Sequence, residues 1–395
     1  MEHKMRKEET LSNRHGKHGV KHAARAAAAL GEADFYMVAA VTALVVFGLL
    51  MVYSASSYDN IVNGGSSYSD VMKQGLFALI GIVVMLGVSN IDYHLYNRRR
   101  TWYMFLASVV LCILVVLFPA RNNAHRWIYL PFMSFQPSEI AKYAVVLYLA
   151  NVLKNADDRR RSPGIQVIRA FLAAGLVSGI IVTIQSNLSI GAIIGLTAAT
   201  MVIVSGYTLW KAMIPAVLGI GALAAGMLLV PYRMRRFTSF LDPFADPTGD
   251  GHQLVQSLFA LASGGLFGRG LSMSRLKAYW IPEAHNDFIF AVVAEELGLI
   301  GALVLLALIV VLIYRGIKIA LNAKDRLGFL IASGITVVLA LQSMINIAVV
   351  IGAFPVTGVT LPFISAGGTS LILNLTATGI LLNISRHGKT AKSRT

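Results

Sequence analysis

Apolar residues run along this chain in long blocks separated by short polar stretches. Ten blocks approach the length needed to cross a bilayer, near 35–56, 74–91, 101–118, 138–153, 167–185, 188–205, 208–231, 287–314, 327–351 and 367–385. About 20 apolar residues at 1.5 Å each span a hydrocarbon core of ~30 Å. The fourth block is short, and only "QSN" separates the fifth from the sixth, so those limits are loose. The pattern predicts an all-α polytopic membrane protein of about ten transmembrane helices, with a long loop between helices 7 and 8. Three regions follow: a polar tail over 1–34, expected to be disordered, a membrane domain over 35–385 that includes the 232–286 loop, and a short tail over 386–395.

Composition agrees with this class. Hydrophobic residues are 56% and charged residues 13% of the 395 positions, where a soluble domain carries roughly 25% charged residues. The single cysteine, Cys112, excludes an intramolecular disulfide and a cysteine-based metal site. The net charge of +15 would suit nucleic acid, but its distribution indicates topology instead. Ten crossings put both termini on one side. Counted from a cytoplasmic N-terminus, the loops "NRRR" (97–100), "KNADDRRRS" (154–162), Trp210–Lys211 and "YRGIKIALNAKDR" (314–326), and the tail "SRHGKTAKSRT", are all basic. Both termini are therefore expected in the cytoplasm and the 232–286 loop outside, with no nucleic-acid partner. The polar leader is too long for a signal peptide, so the first block reads as an uncleaved anchor. Arg121, Arg126, Arg233, Arg235, Arg236, Arg269, Arg275 and Lys277 break the rule by falling outside. They are either solvated surface or the lining of an external anionic-ligand site.

Polar chemistry gathers on that same side. "WIPEAHNDFIFAVVAEELGLIG" (280–301) carries Glu283, Asp287, Glu295 and Glu296 into an apolar block, and an ionised carboxylate at membrane depth costs a few kcal/mol or more. Glu295 and Glu296 lie ~12 Å deeper than Asp287 along a helix and read as structural groups buried against basic or polar neighbours. In "NNAHRWIYLPFMSFQPSEIAKYAVVLYLA" (122–150), Pro137 suits a first helical turn, and Glu139 and Lys142 share a helix face. They either neutralise each other, or Lys142, Arg126 and free backbone N–H groups bind a phosphate. Arg233, Arg235 and Arg236 sit in an aromatic, glycine-rich segment, as interfacial anchors or facing a pyrophosphate. "PVTGVTLPFISAGGTS" (355–370) cannot form a regular helix and is expected to line a cavity.

Taken together, "RWI…FQPSEIAK", "RRFTSFLDPFADP", "GGLFGRGL", "IPEAHNDFIFAVVAEELGLIG" and "PVTGVTLPFISAGGTS" closely resemble the SEDS family (shape, elongation, division and sporulation), on its FtsW and SpoVE side. The resemblance implies a ten-helix glycosyltransferase of the bacterial cytoplasmic membrane. Such an enzyme polymerises lipid II into peptidoglycan strands beside a class B penicillin-binding protein. Asp287 matches the aspartate of the family's H-x-D-F-I-F motif, treated as catalytic. Glu139 and Lys142 match F-Q-P-S-E-x-x-K, and Arg126 matches R-W-I. Asn286, Ala366 and Asn187 stand where the family often has threonine, an aromatic residue and aspartate.

On that resemblance, an alpha-linked donor and a beta-1,4 product imply inversion by one in-line displacement. Asp287 would take the acceptor hydroxyl's proton. Arg126, Lys142 and Arg233, Arg235 and Arg236 would neutralise the pyrophosphate, with Glu139 in the same substrate-binding group. Glu283 and His285 would support Asp287. The scheme requires no cofactor; a divalent cation bridging Asp287 and the pyrophosphate is the alternative use of the aspartate. A lipid II flippase and a non-catalytic scaffold for a penicillin-binding protein are the competing functions.

Overall fold

A computed structural model describes residues 31–62, 64–120, 124–129, 134–155, 163–207, 217, 219, 221, 226, 230–274 and 285–388. Over these the chain is helical: α1 (Phe35–Val62), α2 (Ser69–Ser89), α3 (Arg98–Leu114), α4 (Pro137–Leu153), α5 (Pro163–Thr183), α6 (Leu188–Val204), α7 (Pro231–Leu241), α8 (His252–Gly264), α9 (Ile289–Leu321), α10 (Arg326–Val350) and α11 (Gly368–Arg386). Seven of them, α1, α2, α3 with its 3-10 extension, α5, α9, α10 and α11, are long and apolar enough to cross a membrane. Nine of the ten apolar blocks coincide with described helices; most of 208–231, and the tails 1–30 and 389–395, lie outside the described residues. The 232–286 segment, expected as a loop, contributes the short helices α7 and α8. A two-residue antiparallel hairpin pairs Ile128 with Phe135 and Tyr129 with Ser134 just before α4.

Burial follows the solvent rather than water-soluble rules. α2 leaves Met72, Leu76, Leu79, Val83 and Leu86 exposed, a stripe suited to lipid. α4 does the reverse. Although only 17 residues long, it is buried on nearly every side and packs against α3, α5, α6, α10 and α11. Its polar residues therefore face protein, not hydrocarbon.

Helix ends sort into two faces. Gly31 N donates to Arg386 O at 3.0 Å, and Asp34 N to Ser385 Oγ at 3.2 Å, so both ends of the membrane domain share one face. Arg315 pairs with Asp34 there, and His94 bridges Asp92 and Asp325 at 2.6 Å each. This is the face carrying the basic loops 97–100 and 314–326. The hairpin, α7, α8, residues 285–288 and the segment 355–366 form the opposite face.

α9 is not continuous. Gly298 takes φ 66°, ψ −166° inside it, a left-handed backbone that favours glycine. The interrupted ladder is completed by the preceding loop. Arg269 N and Gly270 N donate to the carbonyls of Glu295 and Glu296 at 3.0 and 2.9 Å, and Leu299 N donates to Gly265 O at 2.9 Å. The break anchors the 265–270 loop against α9, and the helix continues to Leu321, past the end of its apolar block.

Candidate active site

Asp287 lies in a turn just before α9, which begins at Ile289 with Phe288 as its N-cap residue. The turn is fastened through its main chain. Asp287 O accepts from Asn346 Nδ2 at 2.8 Å, and His285 O accepts from Ala366 N at 2.9 Å. Asn346 Nδ2 also donates to Val359 O at 2.7 Å, drawing in the irregular 355–361 segment. Gly358, at φ +75°, comes so close that a Cβ there would lie 3.2 Å from Asp287 Oδ2. The Pro- and Gly-rich stretch thus forms a wall beside the carboxylate, its backbone groups held by protein donors, as irregular backbone at membrane depth requires.

Three arginines are held on the same face of the membrane domain by backbone carbonyls. Arg126 Nε and Nη2 donate to Gln185 O and Ser186 O at 3.0 and 2.8 Å, which fixes the guanidinium on the turn between α5 and α6. Arg233 donates to Gly226 O and Val182 O at 2.8 and 2.7 Å. Arg236 donates to Val356 O at 3.1 Å and stacks 4.8 Å over the Tyr232 ring. Burial first, then the charge of Arg236, holds Arg126 below the usual arginine range; Tyr232 and Asp287 act in the other direction and Arg233 adds to the lowering. Arg126, Arg233, Arg236 and Asp287 therefore share one electrostatic environment. Each arginine keeps positive charge there while its backbone contacts fix its orientation.

Arg235 is turned away. At about 100° per helical residue, Arg233 and Arg236 fall on one side of α7 and Arg235 on another, where it meets Asp250 at 3.6 Å. Arg236 also lines a cavity of about 220 Å³ with Tyr232, Ser239, Phe240, Gln253, Val356 and the same Asp250 that Arg235 meets.

Lys142 and Glu139 occupy a different place from the one their sequence context suggested. Both are buried, at 1% and 4% exposure. Lys142 Nζ lies 2.9 Å from Glu139 Oε1 and donates to Gln342 Oε1 at 2.5 Å; Ser370 Oγ donates to Glu139 Oε2 at 2.9 Å. The first turn of α4 is enclosed by α10 and α11, so these groups are not at an open helix start. The mutual-neutralisation alternative describes their geometry.

Glu295 and Glu296 are fully buried at the α9 break. Glu296 accepts from Ser54 Oγ at 2.5 Å and from Ser272 N and Ser274 N at 3.1 and 3.3 Å. Glu295 accepts from Ser274 Oγ, with Arg269 at 3.9 Å. Their role is structural, as their depth suggested. Asn187 caps α6 by accepting from Ile190 N at 3.2 Å. Glu283 lies outside the described residues. Among those described, no three His, Cys, Asp or Glu side chains gather as a metal would require. Gln342 and Asn346 escaped sequence reading. Their only signal is two amides four residues apart, hence on one helix face, inside an apolar block.

Comparison with known proteins matches this chain over about 90% of its length. The cell cycle protein family FtsW/RodA/SpoVE matches residues 35–390. Stage V sporulation protein E of Bacillus subtilis (strain 168) is 41% identical over 368 residues, covering 90% of this chain and 98% of its own. A probable peptidoglycan glycosyltransferase FtsW of Geobacter sp. (strain M18) is 37% identical over 363 residues, covering 89% and 96%. Among solved structures, a chain of a peptidoglycan synthase complex described as coordinating polymerization and crosslinking superposes with a TM-score of 0.72. It shares 28% identity over 90% of this chain and 98% of that one. The rod shape determining protein RodA of Thermus thermophilus gives a TM-score of 0.65 at 26% identity, with the same coverage. Matched by the family over residues 35–390, 41% identical to a member over 90% of its length and superposing on solved structures over the same share, the chain belongs to the FtsW/RodA/SpoVE cell cycle protein family, the SEDS proteins.

Proposed function

We propose that this chain is a peptidoglycan glycosyltransferase that joins lipid II units into beta-1,4-linked glycan strands at the outer face of the bacterial cytoplasmic membrane. The observation that carries the reading is one carboxylate, Asp287, beside the 355–361 wall, with Arg236 fastened to the same wall at Val356 O and the partly buried Arg126 and Arg233 in the same electrostatic surroundings. Family membership supports it, since relatives bear the name peptidoglycan glycosyltransferase. In the proposed reaction Asp287 accepts the proton of the acceptor hydroxyl, and that oxygen attacks the anomeric carbon of the donor sugar. The bond from that carbon to the pyrophosphate oxygen breaks, and the configuration inverts. The departing pyrophosphate carries its electron pair and negative charge to Arg126, Arg233 and Arg236, donors suited to phosphate. Lys142 is assigned a structural place instead, its buried ammonium paired with Glu139 and Gln342. The cavity beside Arg236, about 220 Å³, is below the roughly 300–1,000 Å³ that encloses a drug-sized ligand. It suits one ring or a headgroup, not a prenyl tail.

A penicillin-binding protein of class B is the proposed partner, in keeping with the synthase complex to which this fold is similar. The basic face is assigned to the cytoplasm, with both termini. The test is strand synthesis from purified lipid II by the detergent-purified protein, alone and with that partner. Asp287→Asn keeps the shape but cannot take a proton, so polymerisation is expected to fall by about 10²–10⁴-fold with lipid II binding retained. Retained synthesis would refute the catalytic role. Lipid II transport without polymer would favour a flippase, and indifference of both readouts to Asp287 a scaffold.

A further inference from the structure

Asp287 stands in a turn, where no helical ladder fixes its main chain. The group that fixes it comes from α10. Asn346 is 1% exposed, and its amide nitrogen donates to Asp287 O at 2.8 Å and to Val359 O at 2.7 Å. Both N–H bonds of that nitrogen are thereby used, on two segments 72 residues apart (359 − 287). Its Oδ1 is buried with no hydrogen-bond partner among the described residues. The two carbonyls on one side, and none on the other, orient the amide.

Gln342, one turn earlier on the same face of α10 and fully buried, repeats the arrangement. Its Nε2 donates to Thr360 O at 3.0 Å and Oγ1 at 3.3 Å, and its Oε1 accepts from Lys142 at 2.5 Å. A contiguous polar line therefore runs from Ser370 through Glu139, Lys142 and Gln342 to Thr360 and Val359, then through Asn346 to Asp287. α10 is a long helix buried over much of its length, the kind of rigid element on which a supporting shell positions a reacting group.

We propose that Asn346, backed by Gln342, is a positioning residue for Asp287. It holds the carboxylate-bearing turn against the Gly358 wall, and it transmits the buried Glu139–Lys142 pair to the site without either of those groups touching substrate. The proposal rests on the catalytic reading of Asp287. It explains why position 346 carries an amide: leucine, of similar size, supplies no donor, and aspartate supplies acceptors against two carbonyls.

The test is steady-state polymerisation of lipid II by the full-length protein with its partner, comparing parent, Asn346→Leu and Asn346→Gln in one detergent. A displacement of about 1 Å at a reacting group can lower a rate by about 10²-fold. The expectation is therefore a kcat reduced on the order of 10²-fold in Asn346→Leu, with KM for lipid II within about twofold of parent. Asn346→Gln, which keeps both donors on a longer arm, should recover part of kcat. A merely structural amide would lower the yield of folded protein and leave kcat per folded molecule unchanged, which overturns the proposal. So would a change confined to KM. Should Asn346→Leu not fold, Asn346→Ser decides on the same kcat criterion. A parent that polymerises, an inactive Asp287→Asn and an Asn346 variant with parental kcat would remove this proposal alone. A parent without polymerase activity would remove the catalytic reading and this proposal with it.

Discussion

Lys142→Met is the perturbation that most directly separates a structural cation from a substrate-binding one. It removes the ammonium but keeps most of the side-chain volume. Glu139, 4% exposed, is left with the Ser370 hydroxyl as its donor, and Gln342 Oε1 loses a partner at 2.5 Å. Breaking a buried ion pair from one side costs about 3–5 kcal/mol, because the remaining charge is uncompensated. For a chain of this length, about 2 °C per kcal/mol converts this to a fall in Tm on the order of 6–10 °C. Glu139→Gln should fall by a comparable amount for the complementary reason. The double variant Glu139→Gln/Lys142→Met buries no charge and should lie above either single variant, since apolar replacement of a whole buried pair is often neutral. The assay is thermal unfolding of the four proteins in one detergent, with polymerisation measured alongside. A Lys142→Met protein with parental Tm, a non-additivity near zero and selectively lost polymerisation would show that the ammonium faces substrate. The placement in the core would then be refuted.

Three further outcomes follow from particular contacts. Gly358→Ala forces a side chain into a left-handed backbone and to 3.2 Å from Asp287 Oδ2, so kcat should drop by roughly 10–100-fold; parental turnover would mean that the wall does not set the carboxylate. Glu296→Ala removes the carboxylate that accepts from the Ser54 hydroxyl and the amides of Ser272 and Ser274, a loss of about 1–3 kcal/mol for a buried group that loses its acceptor. It should lower Tm and expose 265–274 to limited proteolysis, with Glu296→Gln milder; unchanged cleavage would remove the anchoring role. On the basic face, burial opposes the charged form of His94, but its hydrogen bonds to Asp92 and Asp325 and their charges raise its pKa, while both aspartates are lowered. The imidazolium contribution is present below about pH 6.5 and is lost as pH rises through the raised value. The carboxylate contribution is present above about pH 4 and is lost as pH falls through the lowered values. The stability difference between parent and His94→Gln should thus be largest near pH 5–6, modest because these groups are partly exposed, and should fade in alkali; a pH-independent difference would contradict the clamp.

What the sequence determined by itself is the membrane domain and where its polar chemistry concentrates. Hydrocarbon leaves backbone groups no partner outside the helix, so apolar runs such as 327–351 appear as helices close to their written limits. A carboxylate at the mouth of such a run, Asp287, and arginines breaking the charge rule, Arg126, Arg233 and Arg236, stand out by the energy of misplacing them. Which of these groups face one another was decided only by the tertiary structure. Nothing local to "QPSEIAK" says that α10 and α11 close over Lys142. Nothing in "YRMRRF" alone says which face of α7 meets Val356. Asn346 looks like any amide in an apolar helix until Asp287 O and Val359 O arrive beside it. Solvent preference is a property of each segment and can be read along the chain, whereas hydrogen-bond and charge pairing are relations between segments far apart in sequence, which exist only once packing has set their distances.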